Sequence, residues 1–168
     1  SLGLVGSEMC IRDRFKAAVE ALGLVGNYTH GTHVAGITVE GNPWVRLVNA
    51  RISFDYKLQP DPCPSVELSK RTAAAYSDYL NFFKKNKVRI VNMSWGGDVK
   101  SVEDSLEKCG LGGTTEGRRT LARKLFEIEK KGLARVFARA PEILFITAAG
   151  NSDSDATFDE SIPSSIVA

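Results

Sequence analysis

The chain has 168 residues, 43% hydrophobic and 25% charged, with a formal net charge of +2. That length can bury a core, and that composition excludes a disordered or fibrous polypeptide. The near-balanced charge gives no global field to draw in nucleic acid or a lipid surface, and no apolar run approaches bilayer-spanning length, so neither is expected as a partner.

Residues 1–14, SLGLVGSEMCIRDR, show no sustained period, and their LGLVG repeats verbatim at 22–26. The string resembles translated adapter sequence and is expected to be a non-native leader; the alternative is a native amphipathic lead-in. No secretion signal is legible in it. One partial domain is expected over residues 15–168.

NYTHGTHVAGI, residues 27–37, sets two histidines at the mouth of an apolar segment. If VAGITVE is a helix, His30 stands at its positive end, which disfavours the imidazolium and suits a general base that rests neutral. Gly31 lets the backbone pass closely, and Thr32 fits a cap or turn. His33, one turn on, reads as a buried imidazole bonded to backbone. A metal pair with His30 would lack the i, i+4 spacing and the intervening Glu of the zinc helix motif, so no metal is expected.

VRLVNARIS (45–53) is short, β-branched and bounded by prolines, which predicts a strand. In SKRTAAAYSDYLNFFKKNK (69–87), Ala73, Tyr76, Leu80 and Phe83 fall on one helical face. VRIVNMSWGG (88–97) is an apolar strand closed by glycines, and Ser101 with Asp104 three residues on predicts the next helix start. That helix is expected to end near Gly110. GLGGTTEG (110–117) reads as a flexible turn, and a second amphipathic helix follows with Leu121, Leu125 and Ile128 inward. Pro141 stops it ahead of EILFITAAGN (142–151), a buried-looking strand that runs into Gly and Asn.

Strands that are apolar along their length and separated by helices predict an α/β fold, a doubly wound, mostly parallel sheet covered by helices on both faces. In such sheets functional groups gather at the carboxyl ends of strands, which places SWGG and AAGN on one edge. Cys10 lies in the doubtful leader; Cys63 and Cys109 sit in Pro- or Gly-rich surroundings, where a disulfide and two unpaired thiols are both open.

HGTHVAG, VNMSWGG and ITAAGN, in that order, resemble the subtilisin-like (S8) serine peptidases, from about residue 25 to the C-terminus, and IPSSIVA resembles that family's strand beyond the oxyanion loop. The resemblance implies that His30 is the catalytic general base and Asn151 the side-chain amide that binds the tetrahedral oxyanion. It further implies that Ser94, Trp95 and Gly96 form the edge on which an extended polypeptide substrate pairs, and that Ala148, Ala149 and Gly150 wall the pocket for the residue before the scissile bond. Trp95, where the family often has an aliphatic residue, would narrow or stiffen an adjacent apolar subsite. No cofactor is implied, and an extracytoplasmic location follows from the family alone.

The family's Asp-Ser/Thr-Gly strand end is not spelled before His30, and Asp13 has the wrong setting for that role. The Gly-Thr-Ser-x-Ala elbow of the nucleophile is likewise not spelled; Ser152, Ser154, Ser161, Ser164 and Ser165 lack its glycines. The chain therefore reads as the central slice of a catalytic domain, incomplete at both ends and inert by itself. The alternative is a degenerate protease domain that holds peptides without cutting them. The family's calcium loop is not evident in TVEGNPWVRL. Residues 54–67 and 107–140 exceed the family's minimal form and are expected as surface elaborations, the second carrying a solvated basic face.

Overall fold

FKAAVEAL (15–22) is built of strong helix formers, and it lies inside one unbroken helix, α1 (Leu2–Val39). The helix continues through Gly23, Gly26, Gly31 and Gly36, and the hydroxyls of Thr29 and Thr38 donate back to the carbonyls of Val25 and Val34. This computed structural model describes residues 2–52, 62–150 and 161–167, and the chain divides into two compact units, Ser1–Asp61 and Pro62–Ala168. The predicted strand at 45–53 does not form over its described part, 45–52. A strand needs a hydrogen-bonded neighbour, and no ladder reaches this segment among the described residues, so Val45, Leu47, Val48 and Ile52 stay exposed.

The second unit holds the core. In α2 (Val66–Lys85) the Ser65 hydroxyl accepts from the Leu68 N–H at 3.1 Å, and Glu67 at the start and Lys84 and Lys85 at the end complement the helix dipole. Its apolar face turns Tyr76 and Leu80 inward, both buried, with Phe83 packed against them. Helix α4 (Thr115–Ala138) crosses this face with Ala122, Leu125, Phe126, Leu133 and Val136 buried. Gly132 marks the closest approach: a Cβ there would stand 2.6 Å from the Ala73 Cβ.

Residues 107–140 are therefore half of the core rather than a surface elaboration, because the inward side of α4 is apolar at helical spacing. Only its outer side is basic, with Arg118, Arg119 and Lys131 paired to Glu107, Glu103 and Glu127. GLGGTTEG is likewise not a loose turn. Gly110, Gly112 and Gly113 hold positive φ; a Cβ on Gly112 would meet the Arg118 side chain at 2.5 Å, and Gly117 packs against the Gly112 carbonyl.

Among the described residues two short sheets complete the unit. Strand β1 (Ile90–Met93) pairs in parallel with β3 (Leu144–Thr147), from Ile90 beside Leu144 to Met93 beside Thr147. Strand β2 (Gly97–Asp98) pairs antiparallel with β4 (Ser161–Ile162). The C-terminal IPSSIVA extends as strand only to Ile162; Ser164–Val167 form a helical turn, α5. Helix α3 (Val99–Lys108) starts three residues before the expected point: Asp98 is the cap, its carboxylate accepting from the Ser101 N–H at 2.6 Å while Ser101 Oγ accepts from the Asp98 N–H at 3.1 Å.

Alternation along the parallel pair turns Val91, Met93 and Phe145 inward, where the Phe145 ring lies 4.6 Å from that of Phe137. The opposite face carries Ile90, Leu144 and Ile146 at 61%, 57% and 46% exposure. Among the described residues of this unit the sheet is covered on one face. The cysteine question closes: Cys63 and Cys109 form a disulfide with Cα atoms 5.9 Å apart, joining the approach to α2 to the end of α3.

Candidate active site

Parallel pairing of β1 with β3 decides where the chemistry-bearing strand ends fall. Both strands run the same way, and the ladder continues past Thr147 as the Ala148 N–H donates to the Met93 carbonyl at 3.2 Å. Ser94–Gly96 and Ala148–Gly150 thus leave the sheet side by side at its carboxyl end, as the strand-end rule expects.

Each residue on this edge has its own support. Asn92 donates through Nδ2 to Ser94 Oγ at 2.9 Å, tying the last turn of the strand to the next. Gly96 lies under the Ile162 carbonyl, 3.3 Å from where a Cβ would be, so the β2–β4 pair pins this segment from the far side. Ala148, Ala149 and Gly150 are exposed, and Gly150 has φ +98°, which strains any L side chain. Small side chains and one obligate glycine keep this edge unobstructed among the described residues of the unit.

Trp95 does not stand out into that space. Its ring stacks on Tyr76 of α2, centroids 6.2 Å apart and planes 15° from parallel, and packs against the core. Tyr76 is itself buried, and burial, with Glu129 and Tyr79 adding to it, pushes its phenol well above the ordinary value. Tyr76 was legible as a core residue from its helical spacing, but nothing in the sequence pairs it with Trp95. The contact is between an α2 residue and a strand-end residue, and it needs three-dimensional placement to find.

The histidines belong to the other unit. His30 and His33 both lie in the interior of α1, which begins at Leu2, so His30 is not at a helix's positive end and Thr32 is not a cap. His33 is exposed rather than buried, because no element of its own unit packs over that part of the helix among the described residues. Asn151, the expected oxyanion donor, lies outside the described residues, as do residues 54–61 of the first long insertion. Among the described residues no cluster of three His, Cys, Asp or Glu is arranged to hold a metal, and no helix is long and apolar enough to cross a membrane.

The sequence profile of the Subtilase family matches the chain over residues 20–166. No curated protein and no solved structure matches it.

Proposed function

The chain belongs to the subtilase family, and from that premise we propose that it is the central part of a serine endopeptidase, which hydrolyses peptide bonds through an acyl-enzyme. His30 acts as general base and then general acid, and the Asn151 amide donates to the oxyanion of the tetrahedral intermediate. The substrate is a polypeptide in extended conformation. It adds a strand along Ser94–Gly96 and places the side chain before the scissile bond against Ala148, Ala149 and Gly150.

The observation that carries this reading is the parallel register, which sets those two segments side by side at one strand end. Peptide recognition by strand addition needs free backbone groups on a braced edge, and the Asn92–Ser94 bond, the Gly96–Ile162 approach and the Trp95–Tyr76 stack supply the bracing. The apolar outer face of Ile90, Leu144 and Ile146 supports a second covering layer, hence a doubly wound sheet. The disulfide supports an oxidising, extracytoplasmic setting.

The triad also needs an aspartate and a serine, and this segment spells neither of the family's motifs for them. A serine-directed fluorophosphonate probe on the complete gene product tests the reading. Covalent labelling that Asn151→Ala and His30→Ala suppress is expected. Absence of labelling, with extended peptides still bound, would identify a degenerate domain that binds without cutting.

A further inference from the structure

Between α2, α3 and α4, away from the strand ends, the second unit holds a half-open pocket of about 190 Å³. That is far more than the roughly 15 Å³ that admits one water. Its walls are mostly apolar, from Pro64, Leu68, Val102 and Leu125, and its polar groups are Ser69, Ser101, Ser105 and Glu129. Among the described residues no Lys, Arg or His lines it.

The protons of all three hydroxyls are already committed. Ser101 Oγ donates to the Asp98 carbonyl at 2.8 Å and accepts from the Asp98 N–H, Ser105 Oγ donates to the Ser101 carbonyl at 2.9 Å, and the buried Ser69 donates to the Glu129 carboxylate. Glu129, Ser69 and Ser105 keep lone pairs beyond these bonds, and all three line the pocket. Burial holds the Glu129 carboxyl above its ordinary value, against the opposing Ser69 hydrogen bond. With Glu129 ionised, these polar groups offer acceptors beside apolar walls, which is complementary to a group that has several donors, a positive charge and a hydrocarbon tail.

We propose that this pocket binds a primary alkylammonium group, its three N–H donors shared among Glu129, Ser69 and Ser105 and its chain lying against Leu68, Val102 and Leu125. The group is presented either by a free amine or by a lysine side chain of a bound polypeptide. The site is separate from the proposed peptidase edge and does not depend on it.

Amide chemical shifts of the protein, followed during titration with n-butylammonium chloride, test the assignment. Saturable shifts at residues 68–69, 102–105 and 125–129 are expected, with no such response to the neutral analogue n-pentanol. Glu129→Gln should weaken binding by about tenfold or more. Val102→Phe, which fills the space without touching the carboxyl, should abolish binding and covers the case in which Glu129→Gln fails to fold. Titration with Nα-acetyl-lysine methylamide separates the sources: the same shifts admit a lysine side chain, and their absence with n-butylammonium still binding assigns the site to free amines. Equal binding of n-pentanol, undiminished binding to both variants, or no saturation with n-butylammonium would overturn the proposal.

Discussion

At position 132 two opposing effects can be weighed. Alanine in place of a mid-helix glycine gains about 1 kcal/mol of helix propensity. The new Cβ, however, would stand 2.6 Å from the Ala73 Cβ and 2.9 Å from its Cα, so α2 and α4 would have to separate. Overpacking of a filled core costs about 1–3 kcal/mol, which outweighs the propensity gain at a contact this close to backbone. Gly132→Ala is therefore expected to lower the denaturant midpoint, and Ala73→Gly in the same chain to restore part of the loss. Glu129 makes a second expectation, about pH. Its folded-state affinity for a proton is raised, chiefly by burial and against the opposing Ser69 hydrogen bond, so it contributes stability at acid pH that is lost as pH rises through its folded value. The Ser69 hydroxyl and the Tyr76 phenol face it from α2. Replacing Glu129 with Gln should flatten stability from the ordinary carboxylate range upward, so that the variant gains on the parent protein as pH increases. A variant whose stability tracks the parent at every pH would refute the assignment. Neither residue was singled out by its sequence setting: Gly132 and Glu129 look like ordinary members of a long charged helix until α2 is laid across it.

Helices of the second unit were the most legible elements, because Tyr76, Leu80, Leu121 and Leu125 repeat at helical spacing and that spacing survives in the packing. Their ends were less so. Ser101 and Asp104 read as a helix start, yet Asp98 with Ser101 makes the reciprocal pair, since a carboxylate leaving an extended strand end reaches the third N–H just as well. Asp98→Ala should cost about 1 kcal/mol in thermal or denaturant unfolding, while Asp104→Ala, which loses only the exposed Lys100 pair, should fall well below that. Strands were legible where a partner existed. VRIVNMSW and EILFITAAG found each other through the parallel register, whereas VRLVNARIS, equally β-branched, has no neighbour to pair with among the described residues. The motif around His30 shows the limit most clearly. The spelling HGTHVAG carries family membership, but it lies in the same unbroken helix as the preceding stretch, and the geometry around an imidazole is set by tertiary contacts that local spelling does not encode.

At the scale of the whole chain, the Pro62–Ala168 unit holds the core cluster and both sheets, and the one cross-link sits inside it. Cys63 and Cys109 are 46 residues apart in sequence, and on the chain-entropy account closing a loop of that size contributes about 4 kcal/mol against unfolding. Reduction, or Cys63→Ser, should lower the unfolding free energy by about that amount; a change under about 1 kcal/mol would show that the unfolded chain is already constrained or the bond strained. The same bond has a consequence for how damage to the protein would look. Everything from Cys63 to Cys109, including β1 and Ser94–Gly96, lies on one covalent ring. A single backbone scission anywhere on that ring opens it without releasing either piece, so a molecule nicked there stays in one covalent piece until a thiol reagent is added, and autolysis within the ring would become visible only on a reducing gel.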